Sequence, residues 1–363
     1  MSAATRSNFF RNRSRFRVNP WSAGAAVIAA LVLLPIAAVI WIAFNPSDNI
    51  WPHLLSTTLP RYMRDTVVLM LSVGVLAGGA GTGAAWLIAR YRFPLSRWLE
   101  WLLLLPLAIP AYVGAYALVD LLEYAGPVQT GLRTVMGWQS ARDYWFPEIR
   151  SLGAAAVVLS AALYPYVYLL ARTAFREQSG ATEEVAMSLG AGAFGRFFRV
   201  GLPLARPAIA AGMAIAMMET VNDFGTVDYF AVQTLTTGIF TVWLESNNAG
   251  GAAQVASVVL MLVIVLVSLE KVSRRKTRFF AMSNRHRVIE RIQLAPGAGL
   301  IATLLCLIPF VMGFLLPAGV ILRHALANAE LWADPHPISA LSNASVVGGI
   351  AALVTIQSAV IIH

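Results

Sequence analysis

Eight apolar runs, each near or beyond the length that crosses a bilayer, limit what this chain can become. They lie at about 21–44, 66–89, 99–122, 151–171, 207–227, 252–270, 298–322 and 343–363. About 20 mostly apolar residues span the hydrocarbon core as a helix. Inside lipid the backbone must satisfy its own N–H and C=O groups, which leaves helices or a closed barrel. Barrel strands read as short alternating segments and these runs are continuous, so the fold class is all-α, a polytopic helical membrane protein. Only 12% of residues are charged, where soluble domains hold roughly a quarter. The +9 formal charge raises nucleic acid as a partner. Nearly all basic residues fall between the runs, however, so the lipid bilayer is the expected partner and no nucleic acid is expected. The single Cys306, inside an apolar run, leaves no disulfide framework within the chain and no paired-cysteine metal site. The first run, which continues through LLPIAAVIWIAF, is too long for a secretory signal core and reads as a retained span.

Orientation follows from where the positive charge lies. With a cytoplasmic N-terminus, the inner segments hold 21 of the 27 basic residues; the excess of Lys and Arg inside sets the topology. In the second run, Gly74/Gly78 and Gly79/Gly83 have the four-residue spacing that lets membrane helices approach closely. A phosphate-binding loop would need a strand before these glycines, and an apolar run stands there instead. The basic stretch 271–297 separates two parts. After it, FLLPAGVIL (314–322) echoes LLPIAAVIW (33–41), and LSNASVVGGIAAL (341–353) echoes MRDTVVLMLSVGV (63–75). Internal repeats of this kind are common in transporters. The expected organisation is a basic cytoplasmic N-terminus (1–20), a six-span unit (21–270), a basic linker (271–297) and the beginning of a second unit (298–363), so that the chain is expected to be truncated, short of that unit's last four spans.

One segment between spans, 183–209, reads EEVAMSLGAGAFGRFFRVGLPLARPAI. Thr182 is placed to cap a helix with Glu183 and Glu184 in its first turn, the favourable end for negative charge. Gly190 is placed to end it in the left-handed conformation. A second short helix would carry Phe194, Phe197 and Phe198, after which Leu202 and Pro203 turn the chain back and Pro207 opens the next span. Arg196 and Arg199 would share a face, available to an acidic protein surface or anionic lipid.

The pattern Glu184-x-Ala186-x-x-x-Gly190, nine residues, then Val200-x-Leu202-Pro203 resembles the EAA motif of binding-protein-dependent ABC transporter permeases, with Val185 where alanine is usual. The resemblance implies the transmembrane-domain fold of ABC importers (MetI-like), here one six-helix unit plus the first two helices of a second. It also implies that the loop 176–206 is the coupling helix seated on an ATPase subunit. Glu184, Ala186, Gly190, Leu202 and Pro203 would be its anchors, beside Phe194 and Arg196. The implied partners are two copies of the ATPase subunit and a periplasmic substrate-binding protein, in the bacterial inner membrane. A Walker loop needs Gly-Lys followed by Ser or Thr. Lys271 follows glutamate and Lys276 follows arginine, so ATP and Mg would be bound by the partner, this chain would carry no cofactor, and it would not be an enzyme.

The fifth run and its exit, METVNDFGTVDYFAVQTLTTGIFTVWL (218–244), carry three acids. Ionisable groups in a span are costly and usually face a cavity or a partner. Glu219 and Asp223, four apart on one helical face with Asn222 beside them, and Asp228 near the outer end are therefore candidates for the wall of a translocation path; pairing with neighbouring arginines or carbonyls is the other reading. The segment DFGTVDYF…TLTTGIFTVW resembles the corresponding stretch of ferric-iron ABC permeases, which implies ferric iron as cargo. Thiamine, phosphonate and polyamine permeases share the loop, and a gradient-driven secondary transporter would also use intramembrane acids. In the outer segment 123–150, Trp138, Tyr144 and Trp145 are expected to be interface anchors.

Overall fold

A computed structural model of the chain describes residues 20–46, 49–178, 185–275, 291–328 and 335–362. Seven of its helices are long and apolar enough to cross a membrane. They include α1 (Pro20–Phe44), α3 (Leu59–Arg90), α7 (Leu152–Glu177), α13 (Ala249–Arg275) and α16 (Pro335–Ile362). The other two are compound: Ala193–Asn222 and Pro296–Ala327 each contain a wider turn. Shorter helices are α2 (Trp51–Ser56), α4 (Ser96–Leu102), α5 (Ala111–Leu122), α6 (Pro127–Met136), α8 (185–188), α9 (Ala193–Arg196), α10 (Leu202–Asn222), α11 (Gly225–Tyr229), α12 (Leu235–Phe240), α14 (Pro296–Phe310) and α15 (Leu316–Ala327).

The run 99–122 departs from expectation. It is not one helix: Ser96–Ala108 and Ala111–Met136 meet at a 93° bend, so the eighth span exists only if this bent pair counts as one. Proline explains the break. Pro106 and Pro110 supply no N–H, and the residue before a proline is pushed out of the helical region; Ile109 is extended, at φ −112° and ψ 122°.

The chain divides into two compact units. One runs from Ile40 to Asn328; the other holds the flanking segments up to Val39 and from Ala329. In the first, the core is the crossing of α3, α7 and α10, around the fully buried Leu69, Ile88, Leu159, Tyr164, Tyr168 and Phe175. Glycine permits the close approach. A Cβ on Gly81 would lie 2.7 Å from the Tyr164 carbonyl oxygen, and one on Gly212 would lie 2.6 Å from the Val167 Cα. Gly74 and Gly78 seat Met217 and Met213 of α10, as their spacing predicts, whereas Gly79 and Gly83 have no neighbour within 4 Å. In the second unit, α1 and α16 expose nearly all of their apolar surface.

A two-residue parallel ladder joins β1 (Tyr91–Arg92) at the end of α3 to β2 (Ile292–Gln293) ahead of α14, pairing Tyr91 with Ile292. The Thr303 hydroxyl adds a bond to the Pro94 carbonyl at 2.8 Å. Beside this ladder the Glu100 carboxylate meets Arg172, Arg176 at 2.9 Å and Arg291 at 3.0 Å. The segment that opens α14 is thus fastened to α3, α4 and α7. Helix α13 runs on to Arg275, into the predicted linker, and 276–290 lie outside the described residues. Both sequence echoes fall on helices, α1 with α15 and the π turn Val311–Leu315 that precedes it, and α3 with α16.

Candidate functional site

Thr182, Glu183 and Glu184 lie outside the described residues, so the segment's geometry begins at Val185. A helical turn, α8, ends at Gly190, whose φ is +81°. The Gly190 N–H donates to the Met187 carbonyl at 2.9 Å and the Ala191 N–H to the Ala186 carbonyl at 2.9 Å. These two bonds are the paired closure of a Schellman cap, and they need a left-handed residue where Gly190 stands. Ala186 is buried beneath the turn, while Val185, Met187, Leu189, Phe194 and Phe198 point outward; Leu189 and Phe194 are 81% and 78% exposed. The rings of Phe194 and Phe198 lie 4.8 Å apart. Five apolar side chains are thus exposed on a short segment closed by a left-handed cap.

Two expectations for this segment need correction. Leu202 and Pro203 do not turn the chain back, since residues 193–222 form one helical stretch. Phe197–Gly201 is a π turn in which the Leu202 N–H reaches the Phe197 carbonyl. Pro203 cannot donate to the preceding turn, and the wider turn absorbs that defect without breaking the helix. Pro207 accordingly sits inside α10. Arg196 and Arg199 do not present a common face: Arg199 is exposed, while Arg196 is 8% exposed and its Nη1 lies 3.4 Å from the Met187 sulfur. Arg196 props α8 from within.

The acids also fall differently from the pattern. Helix α10 stops at Asn222, so Asp223 leaves the face it was expected to share with Glu219. Its backbone is extended and its carboxylate accepts from the Thr226 N–H at 2.9 Å, the Thr226 hydroxyl at 3.0 Å and the Val227 N–H at 3.1 Å. That is a capping role at the start of α11. Glu219, Asn222 and Asp228 are exposed. Glu219 and Asn222 come one turn apart at the end of α10, and Asp228 lies on α11, whose Tyr229 carbonyl is held by Arg150 at 2.8 Å.

In the segment 123–150, Trp138 and Tyr144 form a pair. They stack at 4.8 Å and 9°, and Tyr144 bonds Arg133 and Gln129 of α6. Trp145 is 86% exposed, as an interfacial anchor would be. Asp143 accepts the Gln139 and Ser140 N–H groups, which hold its carboxyl below the usual range.

Sequence reasoning passed over the contacts that hold the projection to the bundle. The Gln178 side chain accepts from Arg90 Nη2 at 2.7 Å and donates to the Gly201 carbonyl at 3.0 Å. A glutamine at a helix end carries no signal of its own. Glu100 did carry one, as an acid within an apolar run, the rule that singled out Glu219.

Similar proteins agree with this architecture. Residues 79–279 match the family described as "Binding-protein-dependent transport system inner membrane component". The chain is 24% identical over 307 residues to the Fe(3+)-transport system permease protein FbpB 2 of Haemophilus influenzae, covering 83% of this chain but 56% of that protein, so it spans little more than half of that relative. It is 26% identical over 255 residues to the probable sulfate transport system permease protein cysT of Nephroselmis olivacea (68% of this chain, 86% of that one). It is 29% identical over 205 residues to the molybdenum transport system permease protein ModB of Escherichia coli (53% and 85%). A bacterial alginate ABC transporter, solved in complex with an alginate pentasaccharide-bound periplasmic protein, superposes with a TM-score of 0.56 at 17% identity, covering 70% of this chain and 92% of its own. The fold is thus the all-α transmembrane-domain fold of ABC importers, and with more than half of its length matched by the family, the chain belongs to the binding-protein-dependent transport system inner membrane components.

Proposed function

We propose that the chain serves as a transmembrane subunit of an ATP-binding-cassette importer and that residues 185–200 are the element through which a separate ATPase subunit drives it. One observation carries the reading: α8, closed by left-handed Gly190, holds Val185, Met187, Leu189, Phe194 and Phe198 in the open between two membrane helices. Exposed apolar side chains gathered on one short segment suit an interaction site, and a closed cap lets the projection move as a body. ATP and Mg belong to that partner, since neither lysine of this chain follows glycine. In a complete transporter with two such loops, two ATPase copies would be engaged. The basic segments put this loop and the N-terminus on the cytoplasmic side, which leaves the end of α10 and the 123–150 segment facing a periplasmic binding protein.

Ferric iron is the cargo we favour. The supporting facts are the relative named for Fe(3+) transport, which aligns over 83% of this chain, and the exposed carboxylates of Glu219 and Asp228 near the outer end, oxygen ligands being suited to a hard cation. Among the described residues no group of three His, Cys, Asp or Glu could hold a metal ion, so iron would pass these carboxylates rather than reside on them. The relatives named for sulfate and molybdenum transport favour a second reading, an anionic cargo. Proteoliposomes holding the assembled transporter, supplied with ATP and the binding protein, decide between them. Uptake of 55Fe(III) without uptake of 35S-sulfate or 99Mo-molybdate is expected; ATP-dependent uptake of either anion in place of iron would overturn the cargo assignment.

A further inference from the structure

The two ends of the projecting segment are joined by one side chain. Gln178 follows the last residue of α7, and Gly201 precedes the first of α10. Between them runs the whole projection. The Gln178 amide nitrogen donates to the Gly201 carbonyl at 3.0 Å, and its amide oxygen accepts from Arg90 Nη2, at the end of α3, at 2.7 Å. Directly against this bridge lies the Trp86 indole of α3. Its ring is 5.1 Å from Phe175 of α7 and 5.3 Å from Phe197 of the π turn, and the Arg90 guanidinium lies over it at 5.2 Å. Gly201 abuts the same ring so closely that a Cβ there would clash with it.

We infer that Gln178 and Trp86 form a clamp at the neck of the projection, so that displacement of α8 is delivered to α3, α7 and α10 together instead of being absorbed by the loop. The inference rests on the coupling reading above and deepens it by naming the positioning residues. A neutral amide suits the position, because it can accept from a guanidinium and donate to a carbonyl at once. Glutamate could satisfy Arg90 but would set an acceptor against the Gly201 oxygen; lysine would do the reverse. The π turn at Phe197–Gly201 lies at this neck, and such turns are frequent at functional sites. The aromatic contacts give the clamp its stiffness, and the amide gives it its register.

Two readouts on the full chain in nanodiscs test this. Hydrogen exchange at residues 185–200 is expected to rise about tenfold or more in Gln178→Glu and in Gly201→Ala, with exchange in the spans unchanged. In proteoliposomes with the ATPase subunit, ATP hydrolysed per ion imported is expected to rise about fivefold or more in each of these variants while the subunit stays bound. The import probe is whichever of 55Fe(III), 35S-sulfate or 99Mo-molybdate the unsubstituted transporter takes up. A merely structural role would lower import and hydrolysis in proportion. Exchange and coupling ratio within twofold of the unsubstituted chain in both variants would overturn the clamp. If the unsubstituted chain retains no ATPase subunit, the coupling reading fails, and the exchange result still decides whether the neck is clamped.

Discussion

Gly190 offers a perturbation whose cost can be separated into two parts. Its φ of +81° lies in the left-handed region, yet a Cβ built there meets nothing within 4 Å. In this chain alone, Gly190→Ala therefore carries no steric penalty and only the backbone cost of a left-handed L-residue, about 1–2 kcal/mol. That lowers the population of the closed cap by roughly 5- to 30-fold. Asparagine tolerates the left-handed region better than alanine, so Gly190→Asn should recover much of the loss. The assay is the affinity of the nanodisc-embedded chain for its ATPase subunit, with hydrogen exchange at Leu189, Gly190 and Ala191 as the local readout. If backbone strain is the whole story, alanine weakens binding in step with its rise in exchange, and asparagine recovers both. If asparagine binds as poorly as alanine while its exchange is normal, the partner needs the bare glycine surface, and an account based on conformation alone is refuted.

Other perturbations follow from the packing. Glu100→Gln removes the carboxylate that Arg172, Arg176 and Arg291 share. Arg172 and Glu100 have side chains 12% and 14% exposed, so the loss should lie between the ~1 kcal/mol of a surface pair and the roughly 3–5 kcal/mol of a fully buried one, whereas Arg176→Ala, at 38% exposed, should cost under about 1 kcal/mol; unfolding in mixed SDS micelles would read both. Gly212→Ala drives a methyl into the Val167 backbone and should destabilise by about 1–3 kcal/mol in the same assay, while Gly79→Ala, facing open space, should be neutral. Asp223→Ala, which removes the cap of α11, should cost about 1–2 kcal/mol and raise exchange at Thr226 and Val227; an unaltered rate there would mean that the three bonds contribute nothing.

What could be read from the chain, and what could not, divides along the range of the interactions. Lipid forbids unsatisfied backbone, so every long apolar run but 99–122 lies on one helical span at roughly its expected place, the end of 207–227 apart. The exception, 99–122, held Pro106 and Pro110, and a rule based on hydropathy gives no weight to missing donors. Gly190 was legible because a left-handed cap is a local requirement. Leu202 and Pro203 misled because proline reads as a break; the π turn that accommodates Pro203 depends on how Gly201 meets Trp86, more than a hundred residues earlier in the chain. Asp223 misled for a related reason, since its helical register with Glu219 required α10 to continue, and α10 ended where the Asp223 carboxylate found the Thr226 and Val227 amides. The Glu100 cluster draws on residues 72 to 191 positions apart, a proximity that only the assembled bundle creates.

If the tip of the 185–200 projection bears on an ATPase, a photo-reactive amino acid placed at Leu189 or Phe194 in living cells will capture it, with the same group at Trp145 as the control on the opposite side. A covalent adduct with a Walker-motif ATPase subunit is expected from positions 189 and 194 and none from 145. No such adduct from either tip position, in cells whose cargo uptake through this transporter is intact, would contradict that contact.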